Sequence, residues 1–457
     1  MPGSYRQLFT LAWPIVLARS AQAAIGFADA AMIAVLGKDA LAATTTGALD
    51  AFAFFILPMG IVFIVQSFAA QLRGQGDITG ARRYAWYGLI VAAIAQVLAL
   101  AAIPLVGPVL ALTDFTPEVQ ALMSGYIMIR LLGTGAVVGT EAIGNWYGGL
   151  GDTRLSLLAN ILAMVANIGL NWVLIYGHLG FPALGVEGAA IASTIAVWLG
   201  FFAVAAVFAR GYLPGEDTKL PAVPLRLRLS EFTRMIRFGL PSGLNWFLEF
   251  SAFLIFINVV FAGLGTLAVA AIMAVIQVNS VSFMPAWGLA SAGAILVGEA
   301  IGAKKLDDVP SIVKRTGVVC ATWQGLVGLV YIAVPATIMA TFAENDVDVS
   351  ELVILGTTLL AVSAAWQLLD AVCNTLSEAL RAAGDTAWVL YARILLSWVL
   401  WLPLSLYVVR VRGGGPVEAT ACMVVYFLGL STVIYLRFRS GAWRRIDLTG
   451  QSAPLVP

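Results

Sequence analysis

Carboxylates set inside long apolar stretches are the residues best able to do chemistry in this chain. Asp29 lies between Phe27 and Met32, Glu249 has Trp246, Phe247 and Phe250 beside it, and Asp370 has Trp366 four residues before it. Asn167 and Asn171 are spaced i, i+4, so a helix presents both amides on one face. A carboxylate with amide oxygens suits a proton or a hard monovalent cation held by oxygen ligands alone. The plainer reading of the two asparagines is interhelical hydrogen bonding, worth about 0.6 kcal/mol per bond in a membrane. Removing a carboxylate from water disfavours its charged form. An acid among aromatic rings can therefore exchange between a proton and a cation. Trp366 can also offer its ring face to a cation, worth about 0.5–2 kcal/mol.

These residues matter because of where they sit. An ionisable group at mid-membrane costs at least about 2.5–3.5 kcal/mol. The others so placed are Arg19, Asp50, Arg130, Glu141 and Glu378. Asp50 and Glu378, with the neighbouring Arg381, are near span ends, where snorkelling accounts for them. The sequence names no partner for Arg19, Arg130 or Glu141.

Composition requires a membrane. Of 457 residues, 60% are apolar and 11% charged, with a mean hydropathy of +0.92; a soluble domain has about 25% charged residues. A helix needs about 20 apolar residues to cross the hydrocarbon core. Twelve stretches qualify: 8–36, 43–72, 84–111, 119–149, 155–177, 187–209, 234–262, 267–300, 311–341, 351–380, 386–409 and 417–437. Pro14, Pro58, Pro285 and Pro403 fall inside them and can bend them. With both termini in the cytoplasm, the loops and ends on that side hold 21 of the 26 basic residues, counting Lys219, Arg381 and Arg393. Three lie outside and two, Arg19 and Arg130, within spans. Basic residues favour the cytoplasmic side, so both termini are expected there, in a multi-pass protein of the cell (inner) membrane.

The chain repeats itself. Pro14 recurs as Pro241, Gly151-Asp152-Thr153 as Gly384-Asp385-Thr386, and Val186-Glu187 as Val417-Glu418, at offsets of 227, 233 and 231. VLGKDALAA (35–43) is echoed by GLGTLAVAA (263–271). The expected organisation is an N-terminal lobe at 1–210, a cytoplasmic linker at 211–230, a C-terminal lobe at 231–440 and a cytoplasmic tail at 441–457. Parallel six-helix repeats are a transporter architecture. The net charge of +1 gives no reason to expect a nucleic-acid partner. Cys320, Cys373 and Cys422 have no metal spacing, and the one histidine, His178, sits in a loop. A membrane enzyme such as an acyltransferase would want a His, Ser-His or metal constellation. The segment 74–83 loosely resembles a loop signature of major facilitator transporters, but reads better as a basic cytoplasmic turn.

With its motifs in order, the chain resembles the multidrug and toxic compound extrusion (MATE) family along essentially its full length, in the NorM-like branch. The likeness rests on Pro14, Asp29 and LGKDALAAT, on GLGDT with Asn167 and Asn171, and on GVEGAAIAST. In the second half it rests on the Pro241-to-Glu249 spacing, Asp370-Ala371 and LRAAGDT. Glu249 and Asp370 match the paired acids of NorM-like members. Asp29, Asn167, Asn171 and Ser193 fall where DinF-like members have a first-lobe cation site. Here Asn171 and Ser193 stand where aspartate and threonine are usual in that branch. The resemblance implies an all-α integral membrane protein of twelve transmembrane helices in two pseudo-symmetric six-helix lobes, V-shaped around a central cavity. It implies export of small organic cations in exchange for H⁺ or Na⁺, with Trp246, Phe250 and Trp366 beside the acids of the cavity. It implies no cofactor beyond Na⁺ as coupling ion, and a monomer is expected. A lipid or oligosaccharide flippase of the same superfamily is the second transporter reading; the surplus of deep acids over bases favours cationic cargo.

Overall fold

The computed structural model describes residues 4–113, 115–213, 226–342 and 349–450. Most of the expected linker, with Lys219, lies outside the described residues.

The helices, in order, are α1 (Tyr5–Ala34), α2 (Lys38–Phe63), α3 (Val65–Gly74), α4 (Ile78–Leu110), α5 (Pro117–Leu131), α6 (Thr134–Gly149), α7 (Arg154–Tyr176) and α8 (Gly185–Ala209). Then come α9 (Leu229–Ile255), α10 (Thr266–Gly302), α11 (Val309–Ala333), α12 (Pro335–Ala340), α13 (Val349–Ala383), α14 (Thr386–Ile394), α15 (Leu402–Arg410) and α16 (Pro416–Arg439). Eleven helical stretches among the described residues are long and apolar enough to cross a membrane. A twelfth results if α5 and α6, bent by 43° at Leu132–Gly133, form one span. Of the span prolines, Pro14, Pro58 and Pro285 lie within continuous helices, whereas Pro403 opens α15. Large apolar side chains such as Val97, Leu98 and Leu105 point out of α4, as a lipid-facing surface requires.

The chain forms two compact units, Trp13–Gly243 and Leu244–Pro457 together with Met1–Ala12. Their repeated sequences take the same backbone geometry. Gly37 before α2 and Gly265 before α10 have φ of 114° and 100°, a region costly to any residue with a Cβ. Gly151 and Gly384 have φ of 83° and 91°, and the following aspartates donate their backbone N–H to Tyr147 O (2.9 Å) and Leu380 O (2.8 Å). The segment 74–83 is a helix-starting turn: Asp77 caps α4 by accepting from Gly80 N at 2.7 Å.

Small residues bring the helices of the first unit together. A Cβ on Gly188 of α8 would stand 2.5 Å from the carbonyl oxygen of Leu174 in α7. Close backbone approach of this kind stands in for the hydrophobic driving force that lipid removes. It is what holds α7 and α8, with their polar residues, against each other.

Candidate coupling-ion and substrate sites

In the unit Trp13–Gly243, the structure brings Asp29, Asn167, Asn171 and Ser193 together. Asn171 donates its side-chain amide to Asp29 Oδ1 at 2.6 Å, and Ser193 donates its hydroxyl to Asp29 Oδ2 at 2.9 Å. Asn167 donates to Ser193 Oγ at 3.0 Å and accepts from Asn171 at 3.3 Å. The i, i+4 spacing on α7 supplies both amides, α1 the carboxylate and α8 the hydroxyl. All four residues are buried, the asparagines fully. Asn171 Oδ1 has no hydrogen-bond donor among the described residues. A buried acceptor without a donor is uncommon, and a bound cation would satisfy it. One turn beyond Asp29, Ile33 packs against Tyr126, Ile175, Val186 and Ala189. That apolar cluster draws on α1, α2, α5, α7 and α8 and also includes Ala40 and Ala190.

Arg19, without a partner in the sequence, forms a two-pronged ion pair with Glu141 of α6, at 2.9 and 3.1 Å. It also donates to Gln22 at 2.8 Å, and Gln22 reaches Asn160 of α7 at 3.0 Å. Three helices are tied through these four side chains. The guanidinium of Arg130 lies over the Phe55 ring, 5.8 Å from its centroid. Asp50 is exposed.

In the other unit, Asp370 on α13 accepts from Gln324 of α11 at 2.7 Å and from Asn374 at 2.9 Å. Gln324 Oε1 is buried without a donor among the described residues. Glu249 on α9 is bound by Arg393 of α14, which also reaches Ser377 at 3.4 Å. Arg393 is thus no cytoplasmic loop residue. It lies in the spanning stretch Thr386–Arg410, its side chain 11% exposed, and drops out of the orientation count. Arg381 is likewise buried at the end of α13, paired with Glu378 at 2.5 Å, rather than snorkelling. Of the aromatic residues expected at this site, Trp246 meets Trp287 edge-on with centroids 6.1 Å apart. Trp366 is buried and stacked on Phe427 at 6.1 Å, and Phe250 is half-buried.

The sequence reading missed Arg393, Gln324, Asn374 and Ser377. Arg393 carried a signal, since it falls inside the stretch 386–409. Asn374 carried another, four residues after Asp370 and hence on the same helical face. Nothing in the sequence pointed to Gln324.

A family model for MatE matches twice, at residues 14–173 and 241–407. The chain belongs to the MatE family. The two matches begin at Pro14 and Pro241, the residues that opened the repeat. A relative from Thermotoga maritima, named a probable multidrug resistance protein NorM, is 25% identical over 97% of this chain and 94% of its own length. One of the same name from Photorhabdus laumondii is 27% identical over 88% and 86%. A third, from Neisseria meningitidis serogroup B, is 32% identical over 66% of each chain. Among solved structures, an outward-facing multidrug resistance MATE transporter superposes with a TM-score of 0.86, covering 96% of both chains at 20% identity. The eukaryotic MATE transporter AtDTX14 does so at 0.83 and 15%. These likenesses give the all-helical, multi-pass membrane fold.

Proposed function

We propose that this chain is a secondary active multidrug efflux antiporter, exporting small organic cations across the cell inner membrane in exchange for H⁺ or Na⁺, and that it is not an enzyme. The observation that carries this reading is the buried cluster of Asp29, Asn167, Asn171 and Ser193. It gathers one carboxylate with amide and hydroxyl oxygens inside spanning helices, and one amide oxygen has no donor among the described residues. That donor set suits a proton or Na⁺ and offers no soft ligand. The NorM names of its relatives support drug-like cargo. Glu249 and Asp370, with Trp246, Phe250 and Trp366 nearby in sequence, are the residues suited to recognise it as a cation. Each charge moved across 100 mV is worth about 2.3 kcal/mol, which suffices to drive export. Coupling requires only that ion and cargo bind the alternating states unequally.

In this reading the protein works as a monomer with both termini cytoplasmic, and the segment 211–230 joins its two lobes in sequence. Uptake of a fluorescent organic cation into everted vesicles, with pH and sodium gradients imposed separately, tests the reading. One of the two gradients should drive uptake and its collapse should stop it. Uptake unaffected by either gradient would remove the antiport mechanism.

A further inference from the structure

Arg393 is the arginine that the described residues place on Glu249. It binds Glu249 and lies in electrostatic range of Asp370, Cys373 and Tyr426. These come from α9, α13 and α16, and with the thiol and phenol neutral the group carries one net negative charge. The pair is unevenly placed: the Arg393 side chain is 11% exposed and that of Glu249 41%. Arg393 Nε is buried with no acceptor among the described residues, so the guanidinium, which stays charged, has Glu249 as its paired counter-charge. The two helices that carry the pair are also joined beyond it. A π-helical stretch, Phe256–Phe261, follows α9, and another, Leu395–Trp401, follows α14. The rings of Phe256 and Trp401 pack 4.7 Å apart. Single π turns inside helices commonly occur at functional sites.

We infer that Arg393 is the resident counter-cation of this lobe, permanently assigned to Glu249, so that Asp370 alone offers its charge to an exchangeable cation and the lobe selects singly charged cargo. This rests on the antiporter reading above and deepens it. Of the two acids proposed above to recognise cargo, this leaves the charge to Asp370 alone and makes Glu249 a positioning residue, which holds Arg393. A buried charge that loses its partner is strongly unfavourable. With Glu249 neutralised, Arg393 turns to Asp370 and the site loses its cation affinity.

The test compares decyltrimethylammonium with decamethonium, which has the same ten-carbon chain and a second quaternary ammonium. Binding to the purified full chain is measured by calorimetry without a gradient. The wild-type chain should hold the singly charged amphiphile at least as tightly as the doubly charged one. A wild-type preference of about tenfold for decamethonium would mean that both acids are available, and would overturn the inference with no variant needed. Glu249→Gln should weaken decyltrimethylammonium binding about tenfold or more, and adding Arg393→Met should restore it to within about threefold. Arg393→Met alone should reverse the preference toward decamethonium, and Arg393→Lys should resemble wild type. A double variant as weak as Glu249→Gln would make Glu249 itself a cargo ligand and refute the assignment. If neither amphiphile binds wild type and neither gradient drives export, the proposed function fails and this inference falls with it. Binding with gradient-driven export but the wrong variant pattern removes the inference alone.

Discussion

Replacing Asp29 by asparagine separates the charge of the first-lobe cluster from its hydrogen bonds. In the native site one carboxylate oxygen accepts from Asn171 at 2.6 Å and the other from Ser193 at 2.9 Å. An asparagine keeps its carbonyl oxygen for Asn171 and turns an amide donor toward Ser193 Oγ, whose lone pairs can accept it. Bonds to a charged group are worth about 1.5–3 kcal/mol and neutral ones about 0.5–1.5, so the two bonds together weaken by about 2–3 kcal/mol. Relief of a buried charge offsets much of that, and the variant should fold with a thermal midpoint within a few degrees of wild type. The loss to a bound cation is larger. A unit charge about 4 Å away contributes about 4 kcal/mol at an effective dielectric constant near 20, or close to three orders of magnitude in affinity. Gradient-driven export should therefore be abolished, while drug binding measured without a gradient stays within roughly threefold, about 0.7 kcal/mol. Ser193→Ala is the control: it removes one hydrogen bond, keeps the charge and should cost about tenfold in cation affinity at most. Transport by Asp29→Asn at the wild-type rate, or equal losses of cation affinity in the two variants, would refute the reasoning.

Arg19→Met and Glu141→Met should each lower the thermal midpoint in detergent, because an orphaned buried charge costs about 3–5 kcal/mol. The double variant should recover most of the loss, and a double variant no better than the worse single one would deny the pairing. Gly265→Ala places a Cβ at φ 100° and ψ 165° and should cost about 1–3 kcal/mol, read as a lower midpoint with transport per folded molecule unchanged. The native cysteines are buried, so single cysteines report orientation. Lys38→Cys should react with an impermeant thiol reagent in intact cells and Arg154→Cys should not; labelling of position 154 would reverse the proposed topology.

Class, repeat and much of the first site were legible in the sequence. A helix in lipid must satisfy its own backbone, so length and apolar content mark each span locally. The one ambiguity, α5 with α6, arose where Gly133 interrupts a single apolar stretch with a 43° bend. The repeat could be read because its glycines answer to local backbone geometry, as Gly37 and Gly265 do. Asn167 and Asn171 were legible as a pair because i, i+4 spacing sets a helical face. Pairings between helices were another matter. Glu249 finds Arg393 across 144 residues, Arg19 finds Glu141 across 122, and Asp370 finds Gln324 across 46. Hydropathy marks where a helix crosses, but its rotation about its own axis and its choice of neighbours are set by packing against other helices. An arginine inside a span can face a carboxylate or reach for the membrane surface with the same local sequence, and only the folded bundle decides which.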